Sequence, residues 1–151
     1  MRILLTKHVS HLRDALEIAE SLTEYFTKEA LQNMKKDFGN DFLIIAVDNE
    51  IVDGFLCFGL RKNRYEILWM GVKQDLQSRG IGKKLLDFLI EYLKDKKIKE
   101  LYVKTLTPKD PYEPYKRTRK FYGGQGFQEL YIEKAIKKGW DDQVVMRLNI
   151  G

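Results

Sequence analysis

The chain has little to offer redox or metal chemistry. It carries one cysteine, Cys57, so no intramolecular disulfide can form. A reducing compartment is the expected setting, and the cytoplasm is the expected location. Cys57 lies in an apolar stretch and reads as a core residue rather than a nucleophile. His8 and His11 stand near the N-terminus without ligand spacing, so no metal is expected. No apolar run reaches the ~18 residues of a membrane span. The opening MRILLTKHVSHLRDALE is too short in apolar residues for a secretory signal. Zinc-finger spacing, an RNA-binding aromatic motif and a long basic tail are absent. So are internal repeats, low-complexity segments and linkers, which leaves one domain over residues 1–151 as the expectation.

What is present fits a globular chain. Hydrophobic residues make up 44% and charged residues 32%, enough apolar side chain for a core. Net charge is +5 and the isoelectric point is near 9.2. That balance leaves nucleic acid, an anionic surface or a phosphate-rich small ligand as partner classes. Positive charge gathers at Lys83 and Lys84, over residues 94–99 and over residues 115–120. Each run also reads as a solvated helix face.

Periodicity predicts the elements. RILLT (residues 2–6) reads as a strand. Helical spacing of Leu12, Leu16, Ala19 and Leu22 follows, with Ser10 as a cap. A second helix is expected over residues 27–36, broken by KDFGND. Residues 41–47 and 51–60 read as a hairpin around DNE, with Gly54 marking a bulge. Residues 65–72 form a further strand. A helix runs from about Gly80 to Lys96, with Ile81, Leu85, Leu89 and Leu93 on one face. A strand over residues 98–106, a loop TPKDPYEP, a short helix YKRTRKFYGGQ, a strand GFQELYIEK and a last strand QVVMRLNI complete the order. The order β-α-α-β-β-β-α-β-α-β-β predicts an α/β (α+β) fold, a mixed central sheet flanked by helices. The last strand reads as an edge or as a pairing strand of a homodimer.

The stretch LQSRGIGKKLL (residues 76–86) places Gly80 and Gly82 at the start of a helix, after a strand. Glycine there costs roughly 1 kcal/mol against alanine. The first amides of a helix lack intrahelical partners and carry the positive end of its dipole. Glycine lets an anion approach that backbone, and Arg79, Lys83 and Lys84 add charge around it. This reads as a phosphate cradle, or as a plain loop-to-helix junction. It is neither a Walker loop nor a full dinucleotide signature, since Leu85 stands where a third glycine would be.

Gln77-Ser78-Arg79-Gly80-Ile81-Gly82 resembles the Q/R-x-x-G-x-G/A signature of the GNAT superfamily of N-acetyltransferases. The flanking MGVKQDLQSRGIGKKLLDFLIEYLK resembles that family's strand, pyrophosphate loop and long helix. RKFYGGQGF (residues 119–127) resembles its "FY…GF" segment. The resemblance covers most of the chain and implies acetyl-coenzyme A as co-substrate. It implies that Gln77, Arg79, Gly80, Ile81, Gly82, Lys83 and Lys84 bind the pyrophosphate. Met70, Gly71 and Val72 would offer backbone to the pantetheine arm, and Arg119 is a further cofactor-binding candidate. Many members carry Asn and Ala where this chain has Tyr115 and Thr118.

Acetyl transfer to an amine needs a neutral amine, a polarised thioester and a proton for the leaving thiolate. By resemblance, Tyr122 points at the sulfur and is the candidate general acid. Glu66 is the candidate base: strand alternation places it with Leu68 and Met70, on a face that would raise its pKa. A solvated Glu66 is the competing reading. For the acceptor, Asp110, Tyr112 and Trp140 are candidates, because acidic and aromatic groups suit a cationic amine; a plain polar surface is the alternative. Three functions stay open. One is an acetyltransferase acting on a small-molecule or peptide amine, with no nucleic acid and no membrane involved. The second is a non-catalytic acyl-coenzyme A sensor. The third is a basic nucleic-acid-binding module.

Overall fold

A computed structural model of the chain describes residues 1–107 and 111–151. The elements run β1 (Arg2–Thr6), α1 (Val9–Ser21), α2 (Lys28–Asn40), β2 (Phe42–Asp48), β3 (Ile51–Arg61), β4 (Arg64–Val72), α3 (Ile81–Asp95), β5 (Glu100–Leu106), α4 (Glu113–Gly124), β6 (Gln128–Glu133) and β7 (Gln143–Asn149). The predicted order is the observed one. The strands form a seven-stranded sheet in the order β1-β2-β3-β4-β5-β7-β6. Neighbours are antiparallel except β4 and β5, which are parallel and joined through α3. The last strand is therefore interior, between β5 and β6, and β6 is the edge. Val144, Val145 and Met146 are buried because β7 has a neighbour on each side.

Alternation along β2 explains the layers. Leu43 and Ile45 face α1 and α2, where they meet Ala15, Ile18, Met34 and Phe38. Ile44 and Ala46 face the other way, onto Leu85, Leu89 and Leu93 of α3. Covered on both sides, β2 is an unbroken apolar run, as buried strands are.

Local details depart from expectation. The cap of α1 is His8 rather than Ser10, which lies inside the helix. Thr27 does cap α2, its hydroxyl accepting from the Ala30 amide at 3.1 Å. That helix continues to Asn40, through the segment expected to break it. Phe38 anchors the last turn, edge-on to Phe55 at 5.4 Å. Gly39 rides on the outside with open space around it. The bulge expected at Gly54 sits beside it: Ala46 pairs with Gly54 and Val47 with Val52, leaving Asp53 unpaired. A Cβ on Gly54 would lie 3.2 Å from the Gly71 carbonyl oxygen and from Ile81 Cγ2, so glycine lets the start of α3 sit close to the sheet.

Two irregularities open the sheet. Cys57 pairs with Trp69 and Phe58 with Ile67, so Leu68 is an extra residue that bends β4. Beside it, the parallel pairing of β4 and β5 is only Glu66 with Tyr102 and Ile67 with Val103. Beyond these pairs the strands part, and Leu68–Val72 has backbone on that side with no strand partner.

Candidate active site

The gap between β4 and β5 leads into two chambers. The first, about 460 Å3, runs between the end of β4, the start of α3 and α4. The second, about 410 Å3, lies between β4, β5, α2 and the α1–α2 connection. Both are lined by Tyr25, Met70, Thr118 and Tyr122, so they meet at these side chains.

Gly80 caps α3 in the left-handed region, with φ at 86°. Ser78 is also left-handed, at 64°. This is where glycine is required: an L side chain at Gly80 strains the backbone, although a Cβ there would meet nothing. The turn leaves the amides of Ile81, Gly82 and Lys83 ahead of the first intrahelical bond, from Lys84 N to Gly80 O at 3.1 Å. Gly82 serves packing. A Cβ there would stand 3.3 Å from Met70 Cε and 3.4 Å from Phe121 Cζ. Gln77 secures the loop, its side-chain amide donating to the Val72 carbonyl at 3.1 Å.

Met70, Gly71, Val72, Gln77, Gly80, Ile81, Gly82 and Lys83 are thus brought together along the first chamber. Lys83 is paired with Asp87 one turn on, at 2.7 Å. Arg79 and Lys84 are exposed and do not line it. Arg119 is occupied otherwise: it donates to the carbonyls of Leu106 and Thr107 at 3.1 and 3.2 Å, tying α4 to the end of β5.

Tyr122 is 5% exposed, although it lies on a short polar helix. Phe121 and Phe127 pack against its ring at 5.2 and 5.3 Å. Its hydroxyl donates to Met70 Sδ at 3.6 Å. Burial pushes its pKa well above the ordinary phenol value, so it keeps its proton at physiological pH.

Glu66 is 7% exposed and lines the second chamber. The bulge at Leu68 corrects its expected face: Glu66 stays with Leu68, but Met70 turns to the other side of the sheet. Its Oε1 is buried without a hydrogen-bond partner. Desolvation raises its pKa, against the opposing pull of Lys104, Arg64 and Arg61.

The acceptor-side expectations fare differently. Asp110 lies outside the described residues. Tyr112 does not line the second chamber; it packs edge-on at 4.8 Å against Tyr115, which does. Trp140 is half exposed on the β6–β7 connector, with Lys137 Nζ 4.9 Å from its ring, and it lines neither chamber. The second chamber is lined instead by Tyr25, Phe26, Asp37, Trp69 and Lys104, among others. They are scattered over four elements, and no local motif marks them. Among the described residues, no cluster of three His, Cys, Asp or Glu side chains could hold a metal ion. No described helix is long and apolar enough to cross a membrane.

Known proteins share this architecture. An acetyltransferase assigned to the GNAT family from Desulfovibrio desulfuricans superposes with a TM-score of 0.87, at 20% identity over 99% of each chain. An aminoglycoside 6'-N-acetyltransferase complexed with coenzyme A gives 0.75 at 16% identity, over 100% of this chain and 98% of that one. The ribosomal-protein-S18-alanine N-acetyltransferase from Escherichia coli gives 0.76 at 19% identity, over 99% of this chain and 95% of that one. At these identities the likeness is one of fold. No curated protein matches the sequence significantly. The pattern that defines the acetyltransferase (GNAT) domain, however, matches residues 39–129, which hold the hairpin, the glycine turn, α3 and Tyr122. That match spans well over half of the chain, and with it the chain belongs to the GNAT acetyltransferase family.

Proposed function

We propose that the chain is an N-acetyltransferase that moves an acetyl group from acetyl-coenzyme A to a primary amine by direct attack in a ternary complex. The observation that carries this reading is the meeting of two chambers at one buried phenol, Tyr122. The first chamber fits the donor. It has a left-handed glycine turn, free amides at a helix start, an apolar floor at Met70 and an unpaired strand segment. The neighbour complexed with coenzyme A has the same fold, which supports this donor.

The thioester supplies an activated acetyl carbon and a sulfur leaving group. The residues of the chain supply the rest. The α3 amides and Lys83 take the phosphate charge. The open side of Leu68–Val72 aligns the donor arm. Glu66 accepts the proton of the incoming ammonium, a role suited to a buried carboxylate of raised pKa. The carbon–nitrogen bond forms and the carbon–sulfur bond breaks. Tyr122, still protonated, delivers its proton as the sulfur departs, and the second proton lost by the nitrogen restores the phenol. Holding both substrates on either side of Met70 supplies the proximity the reaction needs.

The test is calorimetric titration with acetyl-coenzyme A, with dephospho-coenzyme A and ATP as controls, followed by thiol release with amines. Saturable micromolar binding and amine-dependent thiol release are expected. A folded protein that binds no acetyl-coenzyme A would end this reading. Binding without turnover of any amine would leave a sensor.

A further inference from the structure

Resting on the transferase reading, we infer that the second chamber selects an amine with one positive charge on a flat apolar body, and that Trp69, positioned by Asp37, is the selecting side chain. The wall is aromatic on three sides: Tyr25 and Phe26 from the α1–α2 connection, Trp69 from β4 and Tyr115 from α4. Trp69 is fixed. Its indole N–H donates to Asp37 Oδ2 at 2.7 Å, and Phe26 packs edge-on against it at 6.1 Å. With its one donor committed, Trp69 has only ring surface to offer a ligand. An ammonium and a flat apolar group both suit that surface.

The charges of the wall limit the acceptor further. Asp37 also accepts from Arg61 at 3.3 Å, so both its oxygens are taken. Arg61 binds both oxygens of Asp41 at 3.0 Å, and Lys104 pairs with Glu133 at 2.9 Å. Glu66 Oε1 is, among the described residues, the buried carboxylate oxygen without a partner. One ammonium is served by Glu66 and the rings. A polyamine would bring further charges against Arg61 and Lys104, with no second unpaired buried carboxylate oxygen among the described residues to receive them. A volume of about 410 Å3 suits a small molecule.

The experiment follows thiol release from acetyl-coenzyme A with phenethylamine, hexylamine, spermidine, kanamycin and an alanine-headed hexapeptide. Phenethylamine is expected to show the highest kcat/KM, about tenfold above spermidine and kanamycin. Trp69→Leu should raise the phenethylamine KM about tenfold, the size of a lost cation–π contact, with the KM for acetyl-coenzyme A unchanged. Trp69→Phe should recover part of it. Asp37→Ala should act like Trp69→Leu, whereas Asp37→Asn, whose oxygen still accepts from the indole, should stay near the parent. A merely structural Asp37 would not give that split. Preference for spermidine, kanamycin or the peptide overturns the inference and leaves the transferase reading standing. So does a folded Trp69→Leu protein with an unchanged phenethylamine KM. Turnover of none of the five overturns both.

Discussion

The first chamber takes most of its lining from one continuous stretch, residues 70–83, with α4 closing the far side. The second draws on the α1–α2 connection, α2, β3, β4, β5, α4 and β7, with single residues from α2, β3 and β7. In the first, the chemistry is backbone: a left-handed turn, free amides and an unpaired strand edge. In the second it is side chain: aromatic rings, paired charges and, among the described residues, one unpaired buried carboxylate oxygen. Backbone recognition tolerates surface variation and serves one invariant ligand. Side-chain recognition is where a shared fold can be turned to different acceptors. The two chambers should therefore respond to substitution in separable ways, apart from the residues where they meet.

The largest effect is expected at that meeting point. Tyr122→Phe keeps the ring packing and removes the hydroxyl. We expect kcat to fall on the order of 10³-fold, the range of a lost general acid. Binding of acetyl-coenzyme A by calorimetry should not move. A variant with near-parent kcat would show that the sulfur leaves without help from this phenol.

The second effect belongs to the first chamber alone. Gly80→Glu combines a strained left-handed backbone with a repelling charge at the helix start, and should weaken acetyl-coenzyme A binding by roughly 100-fold or more. Gly80→Asn is the control, because asparagine tolerates positive φ and adds no charge. It should bind within a few-fold of the parent. If both variants bind like the parent, the glycine turn is not the anion site. The KM for the amine should be unmoved by either.

Sequence made the first chamber legible because its parts are local. The strand, the turn and the helix start are contiguous, and the Gly80 and Gly82 spacing has a physical reason in each case. Tyr122 was within reach only through its neighbours Phe121 and Phe127 in a motif; its burial is a tertiary fact. The second chamber was not legible in this way. Asp37 sits in a segment that reads as a helix breaker, yet Phe38 holds it in helix. Trp69 and Glu66 share a strand whose alternation is broken at Leu68, and no residue type announces that bulge. Trp140 and Tyr112 had the right chemistry but lie outside the chamber. The interior place of β7 depends on pairing with β5, which local pattern does not encode.

The third effect belongs to Glu66 in the second chamber. Its carboxyl is held above the ordinary range, so the folded state binds this proton more tightly than the unfolded state does. Stability from this group is therefore greatest below the unfolded pKa and falls as pH rises towards the raised folded value. Activity runs the other way, because a base must be deprotonated. Glu66→Gln should remove the acid limb of the kcat/KM profile and lower its neutral value about 10- to 100-fold. The same substitution should flatten the fall of stability with pH over that window, read by denaturant melts. An acid limb that survives in Glu66→Gln would assign the base elsewhere.

The smallest effect is expected at the surface, where the α1–α2 connection meets α4. Glu24, on the α1–α2 connection, pairs with Arg117 of α4 at 2.9 Å, and both side chains are about half exposed. The Arg117 guanidinium also lies 5.8 Å from the ring centre of Tyr25, which lines both chambers. The contact looks like a strap, but exposed ion pairs hold little. The α1–α2 connection has a better anchor in Leu22, which is buried against the α1 and α2 core, and in Phe26 against Trp69. Glu24→Gln should therefore leave the KM of the amine within about threefold of the parent. It should tighten acetyl-coenzyme A slightly, because Arg117 lines the first chamber and is released to an anionic ligand, and that gain should vanish in high salt. A tenfold rise in the amine KM would show instead that the strap sets the position of Tyr25, and that the second chamber depends on a surface charge rather than on its buried aromatic wall.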